Sequence, residues 1–192
     1  MRSDKKQARH LAITQAAYDL LRENGYEGTS MLAIAKAAKA SNETLYRWYG
    51  DKLGLFAAMV ADNTAAIQSA LSEAVAADAP VEETLERVAP LLLEMVLGER
   101  AVLLNRVAAS DPTGTLGRAI SRGGRDTVQP MMMALLGRLG ADEAQAGIYM
   151  SVLIGDQQIR RVIGVTDPPN PQQIAARCAQ AQQVLRLLLK AA

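Results

Sequence analysis

Apolar residues recur along this chain at spacings of three and four, and alternation of period two is almost absent. That periodicity predicts an all-α fold, because side chains three and four apart share one face of a helix. Over 5–24 the face is Ile13, Ala16, Ala17, Leu20 and Leu21, and Gly25 supplies a stop. Ser30 can cap a short helix over 31–38, with Met31, Ile34, Ala35 and Ala38 turned inward. Ser41 can cap a third over 42–48, and Asp51 a fourth that starts at Lys52 and runs past Leu71. No breaker stands between Gly54 and Asp78, so the fourth helix is long and joins the two parts of the chain without a flexible tether.

Beyond Pro80 the pattern predicts helices over 81–97, 100–110, 114–122, 126–139, 142–164 and 171–190. Pro90 and Pro130 are expected to kink or restart theirs, and Gly123-Gly124, Gly140 and the proline-rich run 167–171 to break the chain. The last helix carries an apolar stripe of Ile174, Cys178, Ala181, Leu185 and Leu188. Such a stripe suits either a partner helix in a second subunit or the helix's own domain. The chain divides into a small domain over 1–56 and a helical one over 57–192.

The two parts differ in content. Tyr18, Tyr26, Tyr46, Trp48, Tyr49 and Phe56 crowd the first 56 residues, and only Tyr149 lies beyond them. The first 60 residues hold nine basic side chains against six acidic ones, in a chain of net charge +1. A basic front on a nearly neutral body fits a nucleic-acid-binding head. One cysteine, Cys178, and one histidine, His10, allow no intramolecular disulfide and are too few for a Cys/His transition-metal site. A nucleophile–histidine set would have to recruit His10 from a basic helical segment, and no phosphate-cradling loop is present. No enzyme class is supported and no cofactor is expected. Apolar runs fall far short of the roughly 18 residues of a membrane span, and residues 1–9 lack the apolar stretch of a signal peptide. A cytoplasmic location without a membrane partner is expected.

Three short helices with a tight turn at Lys39-Ala40 have the spacing of a helix-turn-helix. Its second helix must be short, exposed and polar on one face to enter the major groove. Asn42, Glu43, Thr44 and Arg47 supply that face, while Leu45 anchors it inward. Asn and Arg are the side chains that bond adenine and guanine edges in pairs. Tyr46, Trp48, Tyr49 and Lys52 follow, where hydroxyl, ammonium and helix-start amides can hold phosphates. The plainer alternatives are a Tyr46 ring packed on the surface, a half-core Trp48 and a solvated Lys52.

Over residues 9–56 the chain resembles the N-terminal domain of the TetR family of regulators. The resemblance rests on Ile13, Ala16-Ala17, Leu20, Gly25-Tyr26, Thr29-Ser30, Ile34-Ala35, Ala38, Ser41, Thr44-Leu45-Tyr46, Trp48-Tyr49, Lys52 and Leu55. Departures are Lys39 where the family usually has Gly, Tyr49 where it has Phe, Leu53 where an acid follows the Lys, and Leu32 at an often polar position. The resemblance implies a DNA-binding set of Ser30, Asn42, Glu43, Thr44, Tyr46, Arg47, Trp48 and Lys52. Within it, Thr44, Tyr46 and Lys52 meet phosphates, and Asn42, Glu43 and Arg47 face base edges. Tyr49 and Phe56 then belong to the small domain's core.

The same resemblance implies a homodimeric transcription regulator on double-stranded DNA, a repressor released from a palindromic operator by a small-molecule effector. The alternative is a regulator controlled by a protein partner. Residues 100–136 resemble the AefR-type C-terminal domain, through Ala109-Ser110-Asp111-Pro112 and Leu116-Gly117-Arg118. Such domains hold a ligand cavity between the middle helices and pair their last two long helices across the dimer, which assigns the Ile174–Leu188 stripe to the interface. Met95, Met132 and Met150, with Arg106 and Tyr149, are the candidate ligand contacts, because Met adapts to irregular apolar ligands; core filling is the alternative for each Met. Arg100 and Asp111 are further polar candidates. With so few rings beyond residue 56, the expected effector has an aliphatic body and a polar or anionic end near an Arg.

Overall fold

Four helices account for most of the first 76 residues of the chain in the computed structural model, which describes the backbone over 2–190 and side chains over 4–190. They are α1 (Arg2–Asn24), α2 (Met31–Ala37), α3 (Asn42–Tyr49) and α4 (Lys52–Ala76). Ser30 accepts from the Ala33 amide, Ser41 from Thr44 and Asp51 from Gly54, each at the N-cap of its helix. Each cap contributes about 1 kcal/mol by satisfying an amide that the helix cannot. There follow α5 (Val81–Leu97), α6 (Glu99–Ala109), α7 (Thr115–Ile120), a π-helical turn (Ser121–Arg125), α8 (Asp126–Gly137), α9 (Glu143–Ile154), α10 (Gln157–Val162) and α11 (Pro171–Lys190). Among the described residues there is no strand, and no helix is long and apolar enough to cross a membrane. The all-α architecture follows the sequence pattern.

Two buried clusters share α4. Leu55, Phe56, Met59 and Val60 pack with Ile13, Ala17, Tyr18 and Leu21 of α1, Ile34 of α2 and Leu45 of α3. Two turns on, Ile67 and Leu71 of the same helix join α5, α8, α9 and α11. The head cluster also takes in Leu104 and Val107 of α6 and Leu116 of α7. A division at residue 56 therefore falls inside a helix, and the head's core closes only with residues from the body.

Three expectations give way. The helix expected over 142–164 is broken, because Gly155 adopts φ 54° and ends α9 before α10 begins. Gly123-Gly124 does not break the chain; it forms the π turn that continues α7 into α8. The glycine serves close approach instead. A Cβ at Gly123 would lie 2.9 Å from Cγ1 of Val60, and the Gly123 carbonyl accepts the Thr64 hydroxyl at 3.0 Å.

The third correction concerns the stripe on α11. Ile174, Cys178, Ala181 and Leu185 are buried within their own subunit, in the cluster built with α5 and α9, and Leu188 is half-buried. The most apolar face of the helix goes to the core of its own domain, so the four buried side chains present little surface to a partner. The outward face of the α9–α11 layer instead shows Ile148 and Leu187, 43% and 61% exposed.

Candidate nucleic-acid interface and internal cavity

The α2–α3 turn is built from the residues that a glycine would have relieved. Lys39 sits at φ 50°, in the left-handed region, and Arg9 of α1 donates to its carbonyl at 3.1 Å. After the turn Ser41 holds the first turn of α3 twice, accepting from the Thr44 amide at 3.1 Å and sharing a hydrogen with the Thr44 hydroxyl at 2.8 Å. Leu45, fully buried, fixes the roll of the helix about its axis. That roll puts Asn42, Glu43, Tyr46 and Arg47 in solvent on the opposite side. Arg47 lies 3.7 Å from Glu43 one turn back, a loose surface pair that leaves the guanidinium able to turn outward.

Ser30, Thr44, Trp48 and Lys52 take other positions. Ser30 is exposed and spends its oxygen as the α2 cap; Thr44 is half-buried with its hydroxyl on Ser41. Trp48 is half-buried, edge-on to Tyr49 at 6.3 Å, with the Lys6 ammonium 5.8 Å from its ring centre. Lys52 donates to the carbonyls of Tyr26 at 2.7 Å and Thr29 at 3.0 Å, and sits over the Tyr26 ring. Lys52, expected at a phosphate, here ties α4 to the loop before α2. The physical reason is position: the first residue of α4 lies beside the carbonyls of Tyr26 and Thr29 in that loop.

Sequence reasoning missed the contribution of α1. Lys6, Gln7 and His10 join Arg47, Trp48 and Tyr49 around a cleft of about 510 Å³ at the end of α3. His10 bridges Tyr49, at 2.8 Å from Nδ1, and Asp62 of α4, at 2.7 Å from Nε2. Burial, and then the Asp62 carboxylate, pushes the Tyr49 phenol up to about 12. Tyr49 is thus half-buried and polar in its contacts, while Phe56 is buried in the core as expected. The helical phase of Lys6 and His10 in α1 is the signal that pointed there.

A second cavity, of about 630 Å³, lies in the body against α4. Met95 and Met150 line it, but Met132 and Tyr149 do not: both are fully buried in the surrounding core. The Tyr149 hydroxyl finds no hydrogen-bond partner there. Arg106 does not line it either, because its guanidinium donates to the carbonyls of Val162 at 2.6 Å and Arg161 at 3.0 Å and so ties α6 to α10. Arg100 lies over the Tyr18 ring, and Asp111 accepts from the Leu116 and Thr113 amides, so neither serves the cavity. The polar wall instead includes Asn63, Thr64, Asn105, Arg125, Gln129 and Ser151. No group of three or more His, Cys, Asp and Glu among the described residues could hold a metal ion.

Residues 13–59 match the family of bacterial regulatory proteins called the tetR family. Over 43 residues the chain is 46% identical to the HTH-type transcriptional regulator YdeS of Bacillus subtilis strain 168, a stretch that spans 22% of this chain and 22% of YdeS. Solved structures extend the likeness to the body. A TetR transcriptional regulator from Agrobacterium tumefaciens is 25% identical, with a TM-score of 0.70 over 94% of this chain and 93% of its own. The flavonoid-responsive regulator FrrA is 23% identical, with a TM-score of 0.67 over 95% of this chain and 97% of its own. Residues 13–59 thus match the head of the bacterial regulatory proteins of the tetR family, and the solved structures share the helical fold of the chain as a whole.

Proposed function

We propose that the protein is a homodimeric transcription repressor that binds a palindromic operator and leaves it when a small-molecule effector enters the body. The observation that carries the reading is α3: Leu45 pins it, and Asn42, Glu43, Tyr46 and Arg47 stand together in solvent. A short helix so presented fits the major groove, where Arg reads guanine and Asn reads adenine. The exposed Tyr46 hydroxyl and the Lys6 ammonium beside Trp48 suit flanking phosphates. Two heads related by a two-fold axis meet inverted half-sites. The cavity on α4, the helix that carries the head, supports control by a small molecule rather than by a protein partner.

Selection of bound sequences from a random DNA pool tests this reading. Inverted half-sites are expected, and Arg47→Ala should relax preference at one base pair in each, at a cost of about 1–3 kcal/mol. Tyr46→Ala should weaken all sequences alike. Enrichment of no sequence, or an unchanged motif with Arg47→Ala, counts against it.

A further inference from the structure

The chemistry of the body cavity points to the charge of its occupant. Its apolar wall is Leu92, Met95, Val96, Ile120, Val128 and Met150; no aromatic ring and no Asp or Glu lines it. Several of its polar groups are already engaged. Asn105 donates to the Ala101 carbonyl at 2.8 Å, Thr64 to Gly123, and Ser121 to Asp126 at 2.9 Å. Arg125 differs. It lines the cavity while staying exposed to solvent, its Nε donates to the Gln129 side chain at 2.9 Å, and no carboxylate pairs with it among the described residues.

A cation in this cavity would meet one positive group and no lining carboxylate, since Asp126 is off the lining and accepts from Ser121. A flat ring system would find no ring to stack on. An anion would meet the terminal nitrogens of Arg125, whose fork matches a carboxylate. About 630 Å³ of aliphatic and methionine-lined space then receives an apolar body, held in proportion to the area it buries. We propose that the effector is an amphipathic monoanion, a single carboxylate on an aliphatic body, with the carboxylate paired to Arg125. The inference rests on the sensor reading above.

The position of Arg125 also supplies a lever. It closes the π turn whose Gly123 carbonyl holds Thr64 and whose Gly123 backbone lies on Val60, both on α4. An anion that draws on Arg125 therefore pulls on the helix that leads to the head.

Binding of four probes to the full-length protein, by calorimetry, tests the proposal: dodecanoate, dodecanol, dodecyltrimethylammonium and a planar flavonoid. Dodecanoate should bind roughly tenfold or more tightly than dodecanol. Arg125→Gln should abolish that preference and Arg125→Lys should keep part of it. Equal or tighter binding of the alcohol, the cation or the flavonoid overturns the proposal, as does a preference that survives Arg125→Gln or the binding of no probe. Competition with operator DNA separates the two readings. Arg125-dependent binding of dodecanoate without DNA release keeps the site and sinks the sensor reading. DNA release by the cation or the flavonoid, indifferent to Arg125, does the reverse.

Discussion

The Lys52 ammonium lies 2.7 Å from the carbonyl oxygen of Tyr26 and 4.1 Å from the centre of the same residue's ring. With the Thr29 carbonyl as a third partner at 3.0 Å, few of its donors remain for a phosphate. Lys52→Ala should therefore act on the head itself. Losing charge-assisted bonds to two carbonyls predicts a loss of about 1.5–3 kcal/mol in stability, read by chemical denaturation without DNA. Wild-type stability with uniformly weaker DNA binding would return Lys52 to the phosphate contacts.

Two leucines two residues apart on α11 face opposite surroundings: Leu185 is 3% exposed and Leu187 61%. Leu185→Glu buries a carboxylate in the core and should cost roughly 4 kcal/mol or more. Leu187→Glu, alone or with Ile148→Glu, should leave the helical circular dichroism intact and shift the protein toward monomer in sedimentation. Monomers produced only by the Leu185 change, with native stability, would move the interface back to the buried stripe.

Helix order and the capped head were legible in the sequence because caps and periodicity are local, and Ser30, Ser41 and Asp51 all cap as their positions require. Even the departure at Lys39 was informative, since the position where relatives carry Gly has φ 50° here. Long-range placement was less legible. An apolar stripe on α11 has the same spacing whether it meets α9 of its own subunit or a second copy. Arg106 and Arg125 are indistinguishable in the sequence; the one is spent on the end of α10 and the other faces the cavity. The His10–Tyr49–Asp62 bridge joins three helices and has no local signature.

The buried phenols set the alkaline limit of stability. Burial pushes Tyr18 up to about 12, with Asp62 adding and Arg100 opposing, and Tyr49 also stands at about 12. Between the unfolded value of about 10 and these folded values, the native state binds more protons than the unfolded chain. Stability is thus fully present below pH 10 and falls as pH rises through about 12. Urea denaturation at stepped pH should show a plateau and then this decline, and Tyr18→Phe should make it shallower. A decline that begins below pH 9, or is unchanged by Tyr18→Phe, would assign the alkaline limit to other groups.

Gly123→Ala tests the contact between the π turn and α4. The added methyl would stand 2.9 Å from Cγ1 of Val60, closer than real contacts allow, so something must shift. Val60 is β-branched on a helix and its χ1 is stiff, so the side chain cannot simply swing away. Either the turn or α4 must retreat, and the bond from Thr64 to the Gly123 carbonyl lengthens with it. Overpacking of this kind costs about 1–3 kcal/mol. Val60→Ala removes Cγ1 and makes room at the price of its own lost packing. If the two elements bear on each other here, the double variant should be about as stable as Val60→Ala alone, a coupling of roughly 1 kcal/mol or more in the cycle. Strict additivity of the two changes in denaturation would mean that Gly123 is tolerated for its backbone alone, and that the π turn does not press on α4.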